Sequence, residues 1–341
     1  MSAQKLLMVA IVWTACLMML GAYVRLQDAG LGCPDWPGCY GQLTAPDEAH
    51  EIARAQQQFG GEVHSGKGRK EMIHRYVAGG LGLLVLWLTP VVWRARRLRG
   101  QVPALALLPL LIIVVQALFG MLTVTLKLMP IVVTGHLVGG MSLLMSLIWL
   151  ASSAAPKWVW TDARADAWLG LASCVLVLQI LLGAWVSTNY AALACDGFPL
   201  CRGQLLPPTG LLEALHPNRA LGLTADGMPL QLDHLAAIHW AHRAMALVLS
   251  LVLLRLIARL WHLSPQYARS LLAALLLQLS LGIGNVLLGL PLALAIAHQA
   301  GAALLLGLLV YGLTRRAGQE QSPAPVMPWA ASSKPPLLER N

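Results

Sequence analysis

Eight apolar runs, each long enough to cross a bilayer, dictate what this 341-residue chain can become. A spanning helix needs about 20 mainly apolar residues, and the runs fall at roughly 6–24, 72–93, 104–126, 131–150, 167–187, 235–257, 268–290 and 291–314. The eighth follows the seventh with almost no loop. In lipid every backbone N–H and C=O must be satisfied inside a helix or a closed barrel. None of the runs shows the two-residue alternation of barrel strands, so an all-α integral membrane protein is expected. Composition agrees, because 57% hydrophobic and 11% charged residues leave too little polar surface for a water-soluble globule.

The formal net charge of +9 invites a nucleic-acid reading, but the basic residues gather at particular span ends and form no single patch. Arg94, Arg96, Arg97 and Arg99 follow the second span, and Lys157 and Arg164 separate the fourth from the fifth. Arg255, Arg259 and Arg269 flank the turn between the sixth and seventh, and Arg315 and Arg316 follow the eighth. Counted by the positive-inside rule, these loops and both termini are cytoplasmic. Loops 26–70 and 188–234 then face outward, and no nucleic-acid partner is expected. The placement suits a bacterial cytoplasmic (inner) membrane.

Both outward loops carry a Cys-x5-Cys pair: Gly32-Cys-Pro-Asp-Trp-Pro-Gly-Cys39 and Cys195-Asp-Gly-Phe-Pro-Leu-Cys201. An oxidising compartment permits disulfides there, so Cys33 is expected to close on Cys39 and Cys195 on Cys201. Cys16 and Cys174, inside the first and fifth spans, are expected to be core packing residues.

The two pairs are part of a longer repeat. At an offset of 162 residues Gly21-Ala22 falls on Gly183-Ala184, Cys33 on Cys195, Pro37 on Pro199, Cys39 on Cys201 and Gly41-Gln42-Leu43 on Gly203-Gln204-Leu205. Further on, Gln116 falls on Gln278, Gly120 on Gly282, His136 on His298 and Gly139 on Gly301. The second loop is six residues longer, so His74-Arg75 pairs with His242-Arg243 at 168. A repeat this long implies a duplicated unit of four spans, and an even number keeps both copies in one orientation. The expected organisation is two duplicated four-helix bundles, 1–155 and 156–318, followed by a disordered cytoplasmic tail, 319–341, rich in Pro, Ala and Ser. Lys5 ahead of an apolar run resembles a secretory signal, but the match of the first span to the fifth predicts that it is retained.

His74, His136, His242 and His298 each lie near the start of an even-numbered span, which places all four imidazoles at similar depth below the outer face. Ionisable groups at membrane depth are costly and usually face a bundle interior. One such histidine would be read as hydrogen-bonded to a neighbouring carbonyl. Four at duplicated positions point to ligands, and two imidazoles from two helices can clamp a haem iron from both faces. Zinc usually takes a third or fourth ligand, and no Cys or carboxylate recurs beside these histidines in both halves. Arg75 and Arg243 follow the ligands and are expected to snorkel outward, towards haem propionates or lipid headgroups. The halves differ at one position: Glu71, three residues before His74, matches His239. A carboxylate beside one pocket and an imidazole beside the other suggest that one copy does chemistry while the other holds a prosthetic group; a helix-dipole role for Glu71 fits the sequence as well. His50, His64, His216, His234 and His262 lie in loops or at helix ends and are expected to be solvated.

The string GAYVRLQDAGLGCPDWPGCYGQ, the EMIHR of the second span, the GHLVGG of the fourth, and the HR and HQ pairs of the sixth and eighth resemble the haem A synthase family over about residues 5–315. The resemblance implies an enzyme that oxidises the C8 methyl of haem O to a formyl group by successive hydroxylations, for terminal oxidase biogenesis. It implies that His74 and His136, with Arg75, receive substrate haem O, and that Glu71 is the catalytic carboxylate. His242 and His298 would ligate the iron of a haem b cofactor in a pocket that His239 and Arg243 also line. Cys33 and Cys39 match the family's outer-loop pair, as a stiffened lid or as redox thiols, whereas Cys195 and Cys201 are assigned as structural. Membrane lipid, haem O synthase and terminal oxidase assembly factors are the implied partners, with a homo-oligomer open. Two other classes compete: a non-catalytic dihaem b-type cytochrome between quinol and a periplasmic acceptor, and a thiol-oxidising membrane protein using both Cys pairs.

Overall fold

A computed structural model describes residues 2–153, 162–205 and 209–316. Ten α-helices are present among them: α1 (Ala3–Leu26), α2 (Ala49–Phe59), α3 (Ser65–Leu98), α4 (Leu108–Thr125), α5 (Pro130–Ser152), α6 (Ala163–Thr188), α7 (Leu211–Leu215), α8 (Leu232–Leu263), α9 (Pro265–Leu287) and α10 (Leu292–Arg316). Among the described residues no strand forms; the only pairings are isolated bridges such as Cys39 with Gln42. Eight helices are long and apolar enough to cross a membrane, so the chain is a multi-pass α-helical membrane protein. The expectations for Lys157 and the 319–341 tail lie outside the described residues.

Local signals explain the helix boundaries. Ser2 caps α1 by accepting from Lys5 N–H, and Asp162 caps α6 by accepting from the N–H groups of Arg164 and Ala165. Pro130 and Pro265 open α5 and α9, where a missing N–H costs nothing. The turn between α9 and α10 is made by Gly289 and Leu290 in the left-handed region. Two helices run further than the apolar counts predicted: α3 starts at Ser65 and α8 at Leu232, so both carry their first turns beyond the apolar stretch into the Cys loops. The short helices α2 and α7 lie in those loops and have no apolar run to announce them.

Helices α1, α3, α4 and α5 pack on one another, as do α6, α8, α9 and α10. Contacts of α5 with α6 and α10, and of α1 with α10, join the two groups. The buried core includes Leu81, Leu147, Leu169, Leu253, Leu256, Leu271, Leu305 and Leu309. Leu83, Leu86, Leu111, Leu118, Leu247, Leu251 and Leu276 are exposed along the same helices, a band that only lipid can solvate. Cys16 and Cys174 belong to that exterior: both are exposed, not core residues as expected. In lipid an outward small apolar side chain costs nothing, so helix position alone could not assign them.

Arg96 and Arg259 lie at one end of the bundle. Arg96 donates to Val102 O and to the Ser153 hydroxyl, Gln4 reaches Ala151 O, and Arg259 faces Asp162, tying the ends of α1, α3, α5, α6 and α8 together. At the opposite end, Arg25 of α1 donates to Ser187 O at 2.8 Å and Thr188 O at 3.3 Å, the last two carbonyls of α6. Its guanidinium stacks 3.7 Å from the centroid of the Tyr190 ring, and the Tyr190 hydroxyl donates to Asp28. Burial and that hydrogen bond push the Tyr190 phenol above its usual pKa. Backbone conformation follows the 162-residue offset closely: Asp28 and Tyr190, Tyr40 and Arg202, Gly41 and Gly203, Lys127 and Gly289, and Leu128 and Leu290 all have positive φ.

Because Arg25 supplies charge-assisted bonds across the two helix groups, Arg25→Leu should cost about 1–3 kcal/mol. Thermal unfolding in detergent checks this: a lowered midpoint with normal membrane insertion is expected, with only partial recovery in Arg25→Lys, which cannot form the planar fork.

Candidate functional site

The site is built at the loop end of the bundle, where α3, α5, α8 and α10 each bring one histidine inward. His74 and His136 stand on helices that share the neighbours α1 and α4, and His242 and His298 on helices that share α6 and α9. Burial in an apolar bundle requires space beside each ring, and a glycine on the adjacent helix supplies it. A Cβ on Gly21 of α1 would stand 3.0 Å from His74 Cε1, and one on Gly183 of α6 would stand 2.9 Å from His242 Cε1. Gly282 of α9 does the same for His298 at 3.0 Å, and Gly120 of α4 lies opposite His136 at a looser 3.7 Å. The Nδ1 atoms of His74, His136 and His298 are buried and have no hydrogen-bond partner. Groups of that kind are rare unless a ligand or water completes them.

Glutamines complete the inner surface. A Cβ on Gly139 would overlap the Gln116 amide, and one on Gly301 the Gln278 amide, so both glycines are gaps filled by a polar side chain from the neighbouring helix. Gln179 Nε2 lies 3.1 Å from His242 Nδ1, and Gln278 Nε2 lies 3.3 Å from His298 Nε2. These amides were absent from the sequence expectations, although the Gln116 and Gln278 match was visible. Matched polar residues one span away from matched histidines were the available signal.

Glu71 is buried, with 5% of its surface exposed. Its Oε2 accepts from Cys33 N–H at 3.0 Å and its Oε1 from Arg75 at 2.5 Å. Arg75 also donates to Asp35 O, Pro37 O and Gly38 O, drawing the Cys33–Cys39 loop onto α3. In the other half Arg243 donates to Cys195 O, Gly197 O and Leu200 O, and through Nε to His239 Nε2 at 3.2 Å. Both guanidinium groups thus reach towards the loops, where their partners are backbone carbonyls that the sequence did not show. Unsatisfied loop carbonyls close to the helix start compete for the guanidinium and win, because several charge-assisted bonds form at once.

Both expected disulfides are present, Cys33–Cys39 and Cys195–Cys201, and all four sulfur-bearing residues are buried. Gly68 of α3 lets the first loop approach: a Cβ there would stand 3.3 Å from Cys39 Sγ. Asp35 accepts from the N–H groups of Tyr40 and Gly41, closing the same loop. Burial and the nearby carboxylates push the Tyr40 phenol above its usual pKa. Of the remaining histidines, His50, His64, His216 and His262 are exposed. His234 departs from expectation: its Nδ1 accepts from Gln231 N–H and its Nε2 faces Glu213, so it caps α8.

The fold and site define a multi-pass membrane protein with two pairs of part-buried imidazoles close to one face. The cytochrome oxidase assembly protein model (COX15-CtaA) matches residues 4–310, and the chain belongs to that family. It is similar to proteins named heme A synthase: one from Shewanella oneidensis is 44% identical, with 91% of this chain and 95% of the relative covered. One from Rhodospirillum centenum is 29% identical, covering 86% and 83%, and one from Shouchella clausii is 27% identical, covering 86% and 90%.

The glycine contacts make a paired prediction. Gly183→Ala should force the His242 ring aside at an overpacking cost of about 1–3 kcal/mol and sharply lower the haem that copurifies with the chain. Gly120→Ala, with ordinary van der Waals room, should leave pigment unchanged. Equal pigment content in the two variants, read from visible absorbance per protein, would show that the glycines do not set ring position.

Proposed function

We propose that the chain is a haem A synthase, oxidising the C8 methyl of haem O to a formyl group in the bacterial inner membrane with both termini cytoplasmic. The observation that carries this is the two pairs of part-buried imidazoles, each ring lying beside a glycine of the adjacent helix, in a chain whose relatives bear that name. The donor set fits iron porphyrin. Three of the four rings hold a buried Nδ1 without a partner, and among the described residues no group of three or more His, Cys, Asp or Glu comes together as a structural zinc site would need.

In this reading the helices of residues 1–155 form the substrate half and those of 156–318 the cofactor half. His74 and His136 hold haem O, and His242 and His298 hold haem b, which supplies electron transfer when bound. The α3 backbone fixes Glu71 one turn before His74, with Arg75 and Cys33 N–H orienting its two oxygens. That leaves a carboxylate on the substrate side able to accept a proton. His239, the matching residue, likewise takes a bond from the arginine four residues on, but it brings an imidazole and no carboxylate to the cofactor half. Arg75 and Arg243 serve both pockets by pinning the disulfide loops over them. The buried Cys33–Cys39 bond acts as a stiffener of that lid.

The dihaem cytochrome is the second reading, and one observation favours it: both Glu71 oxygens already have structural partners, so the carboxylate has a role without catalysis. Expression with a haem O synthase and extraction of membrane pigment separates the two. Haem A is the expected product; haems B and O alone under aerobic conditions would leave the cytochrome. Glu71→Ala should retain haem but accumulate haem O or a hydroxylated intermediate, and normal haem A output would remove its catalytic role. Cys33→Ser with Cys39→Ser should keep partial activity if the disulfide is a stiffener, and complete loss with intact folding would make the thiols redox agents.

A further inference from the structure

The imidazoles of the second half have polar company that the first half lacks. The Gln179 amide on α6 lies along the edge of His242, its Nε2 3.1 Å from Nδ1 and 3.3 Å from Nε2. The Oε1 of Gln179 is buried and accepts nothing. An unmet buried carbonyl of this kind costs about 1–3 kcal/mol, and an amide's oxygen and nitrogen exchange places by a half-turn of its terminal torsion. That half-turn sets Oε1 against His242 Nδ1. Once iron occupies Nε2, Nδ1 must carry the proton, and metal-bound histidines almost always donate it to a carbonyl or carboxylate, which fixes the ring and raises its basicity.

At the matching position of the first half stands Leu17, and His74 Nδ1 is buried without a partner. Apart from Glu71, which His239 replaces, the halves share their main features: a glycine lies beside each ring, and each half has its arginine and its disulfide loop. The difference therefore falls on how strongly one histidine of each pair is held as a ligand.

We propose that Gln179 determines which half keeps its haem: by accepting from His242 Nδ1–H it makes a strong, fixed ligand for a resident cofactor, while His74 beside Leu17 is a weaker ligand suited to a haem that enters as substrate and leaves as product. This rests on the assignment of haem b to His242 and His298. Gln179 is a positioning residue; it acts through His242.

The test compares wild type, Gln179→Leu and Gln179→Met after detergent purification, measuring haem per protein and the midpoint potential by titration of the visible spectrum. Both substitutions should weaken haem retention about 10- to 100-fold and raise the potential, because a less basic imidazole stabilises ferric iron less. Methionine fills nearly the same volume as glutamine, so wild-type retention and potential in a folded Gln179→Met would show that only packing matters and would overturn the proposal. Leu17→Gln supplies the reverse case: in a His242→Ala chain it should increase the haem retained by the first half, and no increase counts against the proposal. Failure of the underlying assignment is visible separately, since His242→Ala would then keep the full wild-type haem spectrum.

Discussion

Placing four imidazoles at membrane depth is the constraint that shapes the rest of this bundle. Three of the rings, His74, His242 and His298, lie so close to the neighbouring helix that only a glycine fits there without displacing them, and Gly21, Gly183 and Gly282 supply that room. Each ring also needs an occupant for its nitrogens, because an unpartnered polar atom in a low-dielectric interior is expensive. The histidine helices α3 and α8 are the longest in the chain, and their extra turns carry the arginines that grip the loops. Ring placement, helix length and loop attachment are thus parts of one solution.

The two ends of the bundle divide the work. At the basic end Arg96 and Arg259 cross-link helix termini, and the positive charge fits a cytoplasmic face. At the loop end the bonds run from helix to loop: Arg75 and Arg243 each satisfy three carbonyls beside a disulfide, and Arg25 joins α1 to α6.

Much of this was legible in the sequence. The eight spans follow from the length that lipid imposes on a helix, and the paired histidines, glycines and cysteines from comparing the chain with itself. What escaped were relations that depend on side-chain direction across helices. Gly21 and His74 are far apart in sequence, and nothing in either neighbourhood says that one makes room for the other. The partners of Arg75 and Arg243 could not be named because the carbonyls of a folded loop cannot be seen before the loop is folded. Cys16 and Cys174 were placed inside because apolar periodicity in a membrane helix does not separate core from lipid.

The central claim, that each imidazole pair grips one iron porphyrin, is tested most directly by electron paramagnetic resonance of the purified, oxidised protein. With haem O supplied by a co-expressed haem O synthase, low-spin ferric signals of the kind given by two axial imidazoles are predicted, one component lost when His74 and His136 are replaced by alanine and the other when His242 and His298 are replaced. A colourless protein, or a signal indifferent to all four histidines, would contradict the account.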